Sequence, residues 1–447
     1  MRRAPKRSAM NRLALAAAVA VLGACSNTTT PAGVGGSGGN AMGTGGTGVV
    51  TGNVTYYRDV LPITRKRCQS CHVDGGIAPF PLQTLEETQM HAGEIAGITA
   101  AREMPPWPPA QACGNFRDSR YLSDAEIATL DAWSKAGAPA GDPSQAPSSQ
   151  APTGPNGSNL GTPGAKLDPG TSYQPNAALT DDYHCFLIDP ALAAQKDLVG
   201  FEVHPGTHAA VHHVILFAVS AANVASAKTM DDAEPGPGWT CFGGSGAMGA
   251  QVVGGWVPGA GVTAFPSPTG IQLAAGTQIV MQIHYNLAAQ KNVSDRTTAD
   301  LYFADAPVAK PAAIYAVANM KFLVPAGTKE MTVTGQLQVT KSAALWGVVP
   351  HMHLHGTKIK VDILHPSGAT DCAIDIPQWN FNWQMFYYYQ QPIMVGVGDT
   401  VRISCTYDNS PESQPLVDGV RAPPMDLRWG EKTTDEMCLN YLYAATP

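Results

Sequence analysis

Three groups of residues in this sequence have the types and spacing that chemistry needs. Pro350-His351-Met352-His353-Leu354-His355-Gly356 follows an apolar run, Ala343-Ala344-Leu345-Trp346-Gly347-Val348-Val349. The run reads as a buried strand, and residues two apart on a strand share a face. His351 and His353 therefore project together, as the ligands of one ion must, and neutral imidazoles suit copper or zinc. The other reading is a polar strand edge with solvated histidines. Upstream, Val211-His212-His213-Val214 sets two histidines side by side, and Met281-Gln282-Ile283-His284-Tyr285 places a single one in an apolar strand. Neighbours on a strand face opposite ways, so His212 and His213 share an ion only at a backbone bulge or a sheet edge. A lone histidine such as His284 is commonly structural; with the other two it would complete an all-imidazole site. The third group is Cys68-Gln69-Ser70-Cys71-His72, at the end of a helical pattern from Tyr56 to Arg67. Two thiols a turn apart can reach both vinyl groups of a haem while the next imidazole meets its iron. A plain disulfide is the alternative.

The elements that hold these groups differ along the chain. Met104, on the proline-stiffened loop Arg102-Glu103-Met104-Pro105-Pro106-Trp107, is the expected second axial ligand of the haem iron. A thioether opposite histidine raises the haem potential and suits electron transfer. Met90 and His91 are rivals within the helical pattern Thr84 to Arg102. Ser123-Asp124-Ala125-Glu126 is a capping box opening a helix to Lys135 that Gly137 stops. Residues 54–142 thus form an expected all-α unit, which resembles small class I-type cytochromes c. A Gly/Thr/Ser-rich tether (25–53) precedes it and a Pro/Gly/Ser-rich linker (143–175) follows. From Asn176 onward, short Val/Ile/Leu/Phe/Tyr runs alternate with Gly/Pro/Asp turns, the texture of β-sandwiches. Pro307 to Pro311 divides this part into 176–308 and 309–447. The expected fold is multidomain: a small all-α cytochrome c domain, then two all-β domains of antiparallel β-sandwich or jelly-roll-like type.

Residues 1–24 read as a secretory signal, with Arg2, Arg3, Lys6, Arg7 and Arg12 before the apolar stretch Leu13 to Leu22. Cys25, after Leu22-Gly23-Ala24, resembles the lipidated cysteine of a bacterial lipobox. Removing the signal takes five basic and no acidic residues, so the formal charge moves from −7 to −12. Such an acidic chain has no nucleic-acid signature. No later apolar run is long enough for a membrane span, so the lipid is the expected anchor. The expected address is periplasm-facing or cell-surface, on the outer membrane. Nine cysteines in an exported chain argue for covalent use; beyond Cys25, Cys68 and Cys71 there remain Cys113, Cys185, Cys241, Cys372, Cys405 and Cys438.

Asp435-Glu436-Met437-Cys438 near the C-terminus adds a methionine beside a cysteine. Methionine usually fills cores, but with two imidazoles a thioether favours Cu(I) over zinc. The ordered segments His212-His213-Val214-Ile215-Leu216-Phe217, Gln282-Ile283-His284-Tyr285, His351 to Gly356 and Asp435 to Cys438 resemble the copper type II, ascorbate-dependent monooxygenases, the family of peptidylglycine α-hydroxylating and dopamine β-monooxygenases. The resemblance covers Asn176 to the C-terminus. It implies two copper sites facing each other across a cleft between two β-sandwiches. His212, His213 and His284 match the electron-transfer copper. His351, His353 and Met437 match the catalytic, O2-activating copper. The family reaction hydroxylates an sp3 C–H with two electrons per turnover. The family also pairs the cysteine after the methionine with one on a preceding strand, which points to Cys405–Cys438; Cys185–Cys241 is a further expected pair. Cys113 and Cys372 stay unassigned. His355 has no ligand counterpart, and His184, His204, His208 and His365 lie outside the motifs. Gln282 stands where the family has glutamine, facing the cleft or alternating away.

Two departures bear on function. Val349 stands where peptide-hydroxylating members have arginine, and after Met437 the asparagine of their Asn/Tyr pair is displaced to Asn440, before Tyr441. A glycine-extended peptide is therefore not expected, and no acidic anchor for a catecholamine is evident. The haem motif suggests electrons from a fused haem c to the relay copper and on to the catalytic copper, with ascorbate as the other source. The expected partners are a small-molecule substrate, O2 and an upstream electron donor. A non-catalytic copper and haem electron-transfer or copper-binding lipoprotein is the competing reading. Zinc hydrolysis is disfavoured, because no HExxH-like base spacing occurs and a methionine is present.

Overall fold

The computed structural model describes residues 53–74, 78–117, 119–148, 160–287, 290–381, 383–417 and 420–447. The signal segment, Cys25 and most of the tether lie outside them. The helical part begins with a π-helical turn at Tyr56–Val60 that continues into α1 (Leu61–Arg67) and ends at Cys68. The helical pattern from Thr84 to Arg102 divides at His91 into α2 (Leu85–Met90) and α3 (Ala92–Ala100). α4 (Asp124–Lys135) opens on the Ser123 and Glu126 capping box; Gly137 follows with φ +81, a left-handed turn that glycine adopts at no steric cost. Trp133 and Leu130 of α4 are fully buried against Tyr56, Val60 and Leu61.

The remainder is mostly β-sheet, consistent with β-sandwich domains. Its main strands are β1 (Ala165–Leu167), β2 (Asp181–Ile188), β3 (Lys196–His204), β4 (Val211–Val219), β5 (Gln251–Trp256), β6 (Thr269–Leu273), β7 (Gln278–Asn286) and β8 (Thr298–Phe303). They continue with β9 (Lys310–Asn319), β10 (Met331–Gln338), β11 (Ala343–His351), β12 (Gly356–Leu364), β13 (Thr370–Ile376), β14 (Tyr387–Val395), β15 (Thr400–Tyr407) and β16 (Cys438–Ala445). A five-stranded sheet carries β2, β7, β4 and β5 in that order, with Trp239–Thr240 on its edge. β7 is central, and its run Ile279 to Tyr285 is buried throughout, as a strand covered on both faces requires. A four-stranded sheet has the order β10-β15-β12-β13. β10 is its edge and shows half-buried alternation, Val333 and Gly335 inward with threonines outward.

A nine-stranded sheet faces both smaller sheets, in the order β1-β8-β3-β6-β9-β16-β11-β14 with a short edge pairing on β3. Residues 307–311, where the sequence suggests a domain boundary, do not interrupt it: β6 and β9 pair in parallel, Thr269 opposite Lys310 and Ile271 opposite Ala312. Within the expected linker, residues 165–167 form β1 against β8 and Tyr173 bridges Asp295. Alternating apolar side chains such as Leu167, buried completely, account for this. Disulfides join Cys185 to Cys241, Cys405 to Cys438, and Cys113 to Cys372. No helix among the described residues is long and apolar enough to cross a membrane.

Candidate metal sites

Adjacent histidines can face one ion because the strand is irregular. β4 pairs with β7 so that Val211 lies opposite Tyr285 and His213 opposite His284, with a register shift between them at His212. One residue is therefore extra on β4, the definition of a bulge, and the alternation that would separate His212 from His213 is broken. The Nδ1 atoms converge: His212 to His213 at 3.3 Å and His284 to His213 at 3.4 Å. Nε2 of His284 donates to Oδ1 of Asp181 at 2.9 Å, fixing the tautomer that leaves Nδ1 free. Tyr183 stacks on the His284 ring at 4.1 Å. Burial depresses the imidazole pKa of His212 to about 4 and holds those of His213 and His284 well below the usual value. Three neutral imidazoles with convergent lone pairs fit a copper ion.

The second group has a different origin. β11 ends at His351, so strand alternation stops there, and His353 and His355 belong to the following turn. The carboxylate of Glu436 orders that turn. It is wholly buried and accepts the backbone N–H groups of His353 (2.9 Å), His355 (2.6 Å) and Met437 (3.2 Å). Met437 precedes β16, and its carbonyl accepts from the Tyr407 hydroxyl at 2.8 Å. Nδ1 of His351 bonds Oε1 of Gln384, and Nδ1 of His353 bonds the Asp435 carbonyl at 3.2 Å. Both imidazoles thus keep Nε2 for a ligand. Burial lowers the pKa of His351 to about 3. His351, His353 and Met437 line one cleft, joined there by His213; two imidazoles and a thioether suit copper, Cu(I) above all. His355 turns away, its Nε2 3.3 Å from Oε1 of Gln414 and its Nδ1 3.6 Å from Glu436. Gln282 is buried, lines the cleft and donates to the Cys241 carbonyl at 2.7 Å.

Phe381 lies between the two groups, a residue that no sequence motif marks. Its ring stacks on His212 at 5.1 Å and stands edge-on to His353 at 6.1 Å. Its carbonyl accepts from Nε2 of Gln384, the residue that holds His351. One loop between β13 and β14 thereby touches both groups. Glu431, also absent from the sequence reading, lines the cleft; burial and the nearby Asp435 raise its carboxyl pKa.

At the helical end, Cys68 and Cys71 are unpaired thiols, and burial pushes Cys68 up to about 12. Nδ1 of His72 bonds the Phe80 carbonyl at 2.9 Å, leaving Nε2 available. This donor set fits a covalently held haem. Met104 is half-buried beyond α3, whereas Met90 is exposed. His91 stacks on Phe80 at 3.6 Å and bonds Glu94. The other histidines are engaged elsewhere: His184 with the Pro237 carbonyl, and His365 with Asp371 and Asp399. His204 meets Asp300 at 3.0 Å, and with Glu202 the two make a further surface group of metal-ligating type.

Residues 310–446 match the family model of the copper type II ascorbate-dependent monooxygenase, C-terminal domain. Tyramine beta-hydroxylase of Caenorhabditis briggsae is 24% identical over 259 residues, 54% of this chain and 40% of that protein. Both findings support the copper type II ascorbate-dependent monooxygenase family. The chain spans about two fifths of the length of this curated relative. The matched segment, residues 310–446, contains His351, His353, Met437 and the Cys405–Cys438 bond; the three-histidine group and Cys68 to His72 lie outside it. Among solved structures, the major capsid protein P2 of bacteriophage PM2 is 6% identical (63% of this chain, 97% of that one, TM-score 0.26). The VP2 subviral particle of infectious bursal disease virus is 8% identical (63% and 70%, TM-score 0.18). Likenesses at this level carry no argument about fold or function.

Proposed function

We propose that the chain is a dicopper, O2-dependent monooxygenase that hydroxylates an aliphatic C–H of a small organic substrate. The observation that carries this reading is the geometry of two unlike donor sets, three Nδ1 atoms on one side and two imidazoles with a thioether on the other, bridged by the ring of Phe381. His212, His213 and His284 would hold the electron-transfer copper, and His351, His353 and Met437 the O2-activating one. Bound copper would supply one-electron redox chemistry and O2 activation. The balance is one substrate C–H, O2, two electrons and two protons, giving one C–OH and one water. The chain's own residues do the positioning. Asp181 orients His284, Gln384 and the Asp435 carbonyl orient His351 and His353, and the apolar cleft walls limit water.

The electron supply in this reading is a haem c on Cys68 and Cys71 with His72 and Met104 as axial ligands; ascorbate is the alternative donor. The chain would be an exported lipoprotein anchored through Cys25, with a helical unit at 54–142 and copper-binding units at 176–308 and 309–447.

Metal analysis and oxygen uptake on the Met437→Ile protein test the assignment. Substrate-dependent O2 uptake should be abolished while copper at the three-histidine group is retained. Undiminished O2 uptake would remove Met437 from the site.

A further inference from the structure

The cleft that holds His351, His353 and Met437 says what can enter it. It encloses about 350 Å³, enough for a molecule of one or two rings or a short chain. Its floor is the face of three adjacent strands. Opposite Tyr441 on β16 lie Ala316 of β9 and Val349 of β11; opposite Leu439 lie Ala318 and His351. His351 thus ends a row whose other members are a leucine and an alanine, and the next row is a valine, a tyrosine and an alanine. Val214, Ile215 and Trp256 of the other sheet also line the cleft. Among the described residues no lysine or arginine lines it, and Glu431 is the one carboxylate there.

Resting on the monooxygenase reading, we propose that the substrate is a small, uncharged, predominantly apolar molecule, its reactive C–H lying over the Leu439 and Ala318 row beside His351. A carboxylate brought into this cleft loses its hydration and finds no lysine or arginine to pair with among the lining residues, a penalty of several kcal/mol for a charge left without such a partner. Val349 lines the cleft in the row next to His351 and offers only methyl groups there. An ammonium group would find Glu431 as the one carboxylate of an otherwise apolar lining and would give up its own hydration to reach it.

The test compares molecules of one carbon skeleton: phenylbutanol, phenylbutanoate and phenylbutylamine. Their affinities for the copper-loaded full chain are measured by equilibrium dialysis, and hydroxylated product by mass spectrometry. The alcohol should bind at least about tenfold more tightly than either charged analogue, a difference of about 1.4 kcal/mol. Equal or tighter binding of the acid or the amine overturns the proposal. Val349→Arg should raise the affinity of the acid about tenfold; no gain would overturn the argument that a missing basic side chain excludes it. Binding of the alcohol without O2 consumption or product would refute the monooxygenase reading and leave the substrate class standing. Hydroxylation that favours a charged analogue would do the reverse.

Discussion

Glu436 shows how one side chain can organise a ligand set without belonging to it. It joins two segments more than eighty residues apart, the turn carrying His353 and His355 and the residue Met437. Backbone N–H groups donating to a carboxylate are among the stronger hydrogen bonds, and all three are lost together when the carboxylate is removed. Each buried donor left without a partner costs about 1–3 kcal/mol. Glu436→Ala should therefore lower unfolding stability by roughly 3 kcal/mol in chemical denaturation, and Glu436→Gln, which keeps one acceptor oxygen, by less. An unchanged midpoint for the alanine variant would show that the turn holds itself. His355 marks the limit of alternation as a guide: it is two residues from His353, but the backbone has already left the strand, and its ring points to Gln414.

At the level of elements, the sequence shows the strands and helices better than their irregularities. The apolar run of β7, the capping box of α4 and the runs before His351 are visible because hydrophobic period and capping chemistry are local properties. The bulge at His212 is visible only as an alternative, because register is set between strands. The loop with Phe381 and Gln384 has no local signature, and neither has the nine-stranded sheet, whose continuity depends on the β6–β9 pairing. The segment 107–117 is a further example. It follows the proline-stiffened loop and has no periodic pattern of its own, yet Phe116 bridges Tyr389, the Arg117 N–H donates to the Tyr388 carbonyl and the Ala110 N–H to that of Asp375. Trp107 and Phe116 pack with Tyr387, and the Cys113–Cys372 bond closes the contact. Replacing both cysteines by serine should cost about 2–4 kcal/mol and speed proteolysis within 107–117. Cleavage and melting like those of the parent chain would show that the aromatic contacts alone hold the segment.

For the whole molecule, this attachment decides what a haem on Cys68 and Cys71 could do. A β-carbon at Gly259 would lie 2.5 Å from the Cys71 sulfur, so glycine is what permits that approach. Arg120 donates to the Gly259 carbonyl at 3.1 Å, and Val257, two residues earlier, lines the cleft that holds His351, His353 and Met437. The Cys71 sulfur thus lies against the chain segment that leads to the cleft, and a haem held there would stand beside it. Stopped-flow absorbance on the copper-loaded chain with pre-reduced haem should show faster haem reoxidation when substrate and O2 are both present. A rate indifferent to copper would exclude haem as the donor.

The Cys113–Cys372 bond also sets an order in time. Its partners are 259 residues apart, against 56 and 33 for the other two disulfides. During synthesis Cys113 emerges soon after Cys68 and Cys71 and long before Cys372. Over the 259 residues that separate it from Cys372, Cys113 has no native partner. Covalent closure of residues 107–117 onto the sheet therefore waits until Cys372 of β13 has been made.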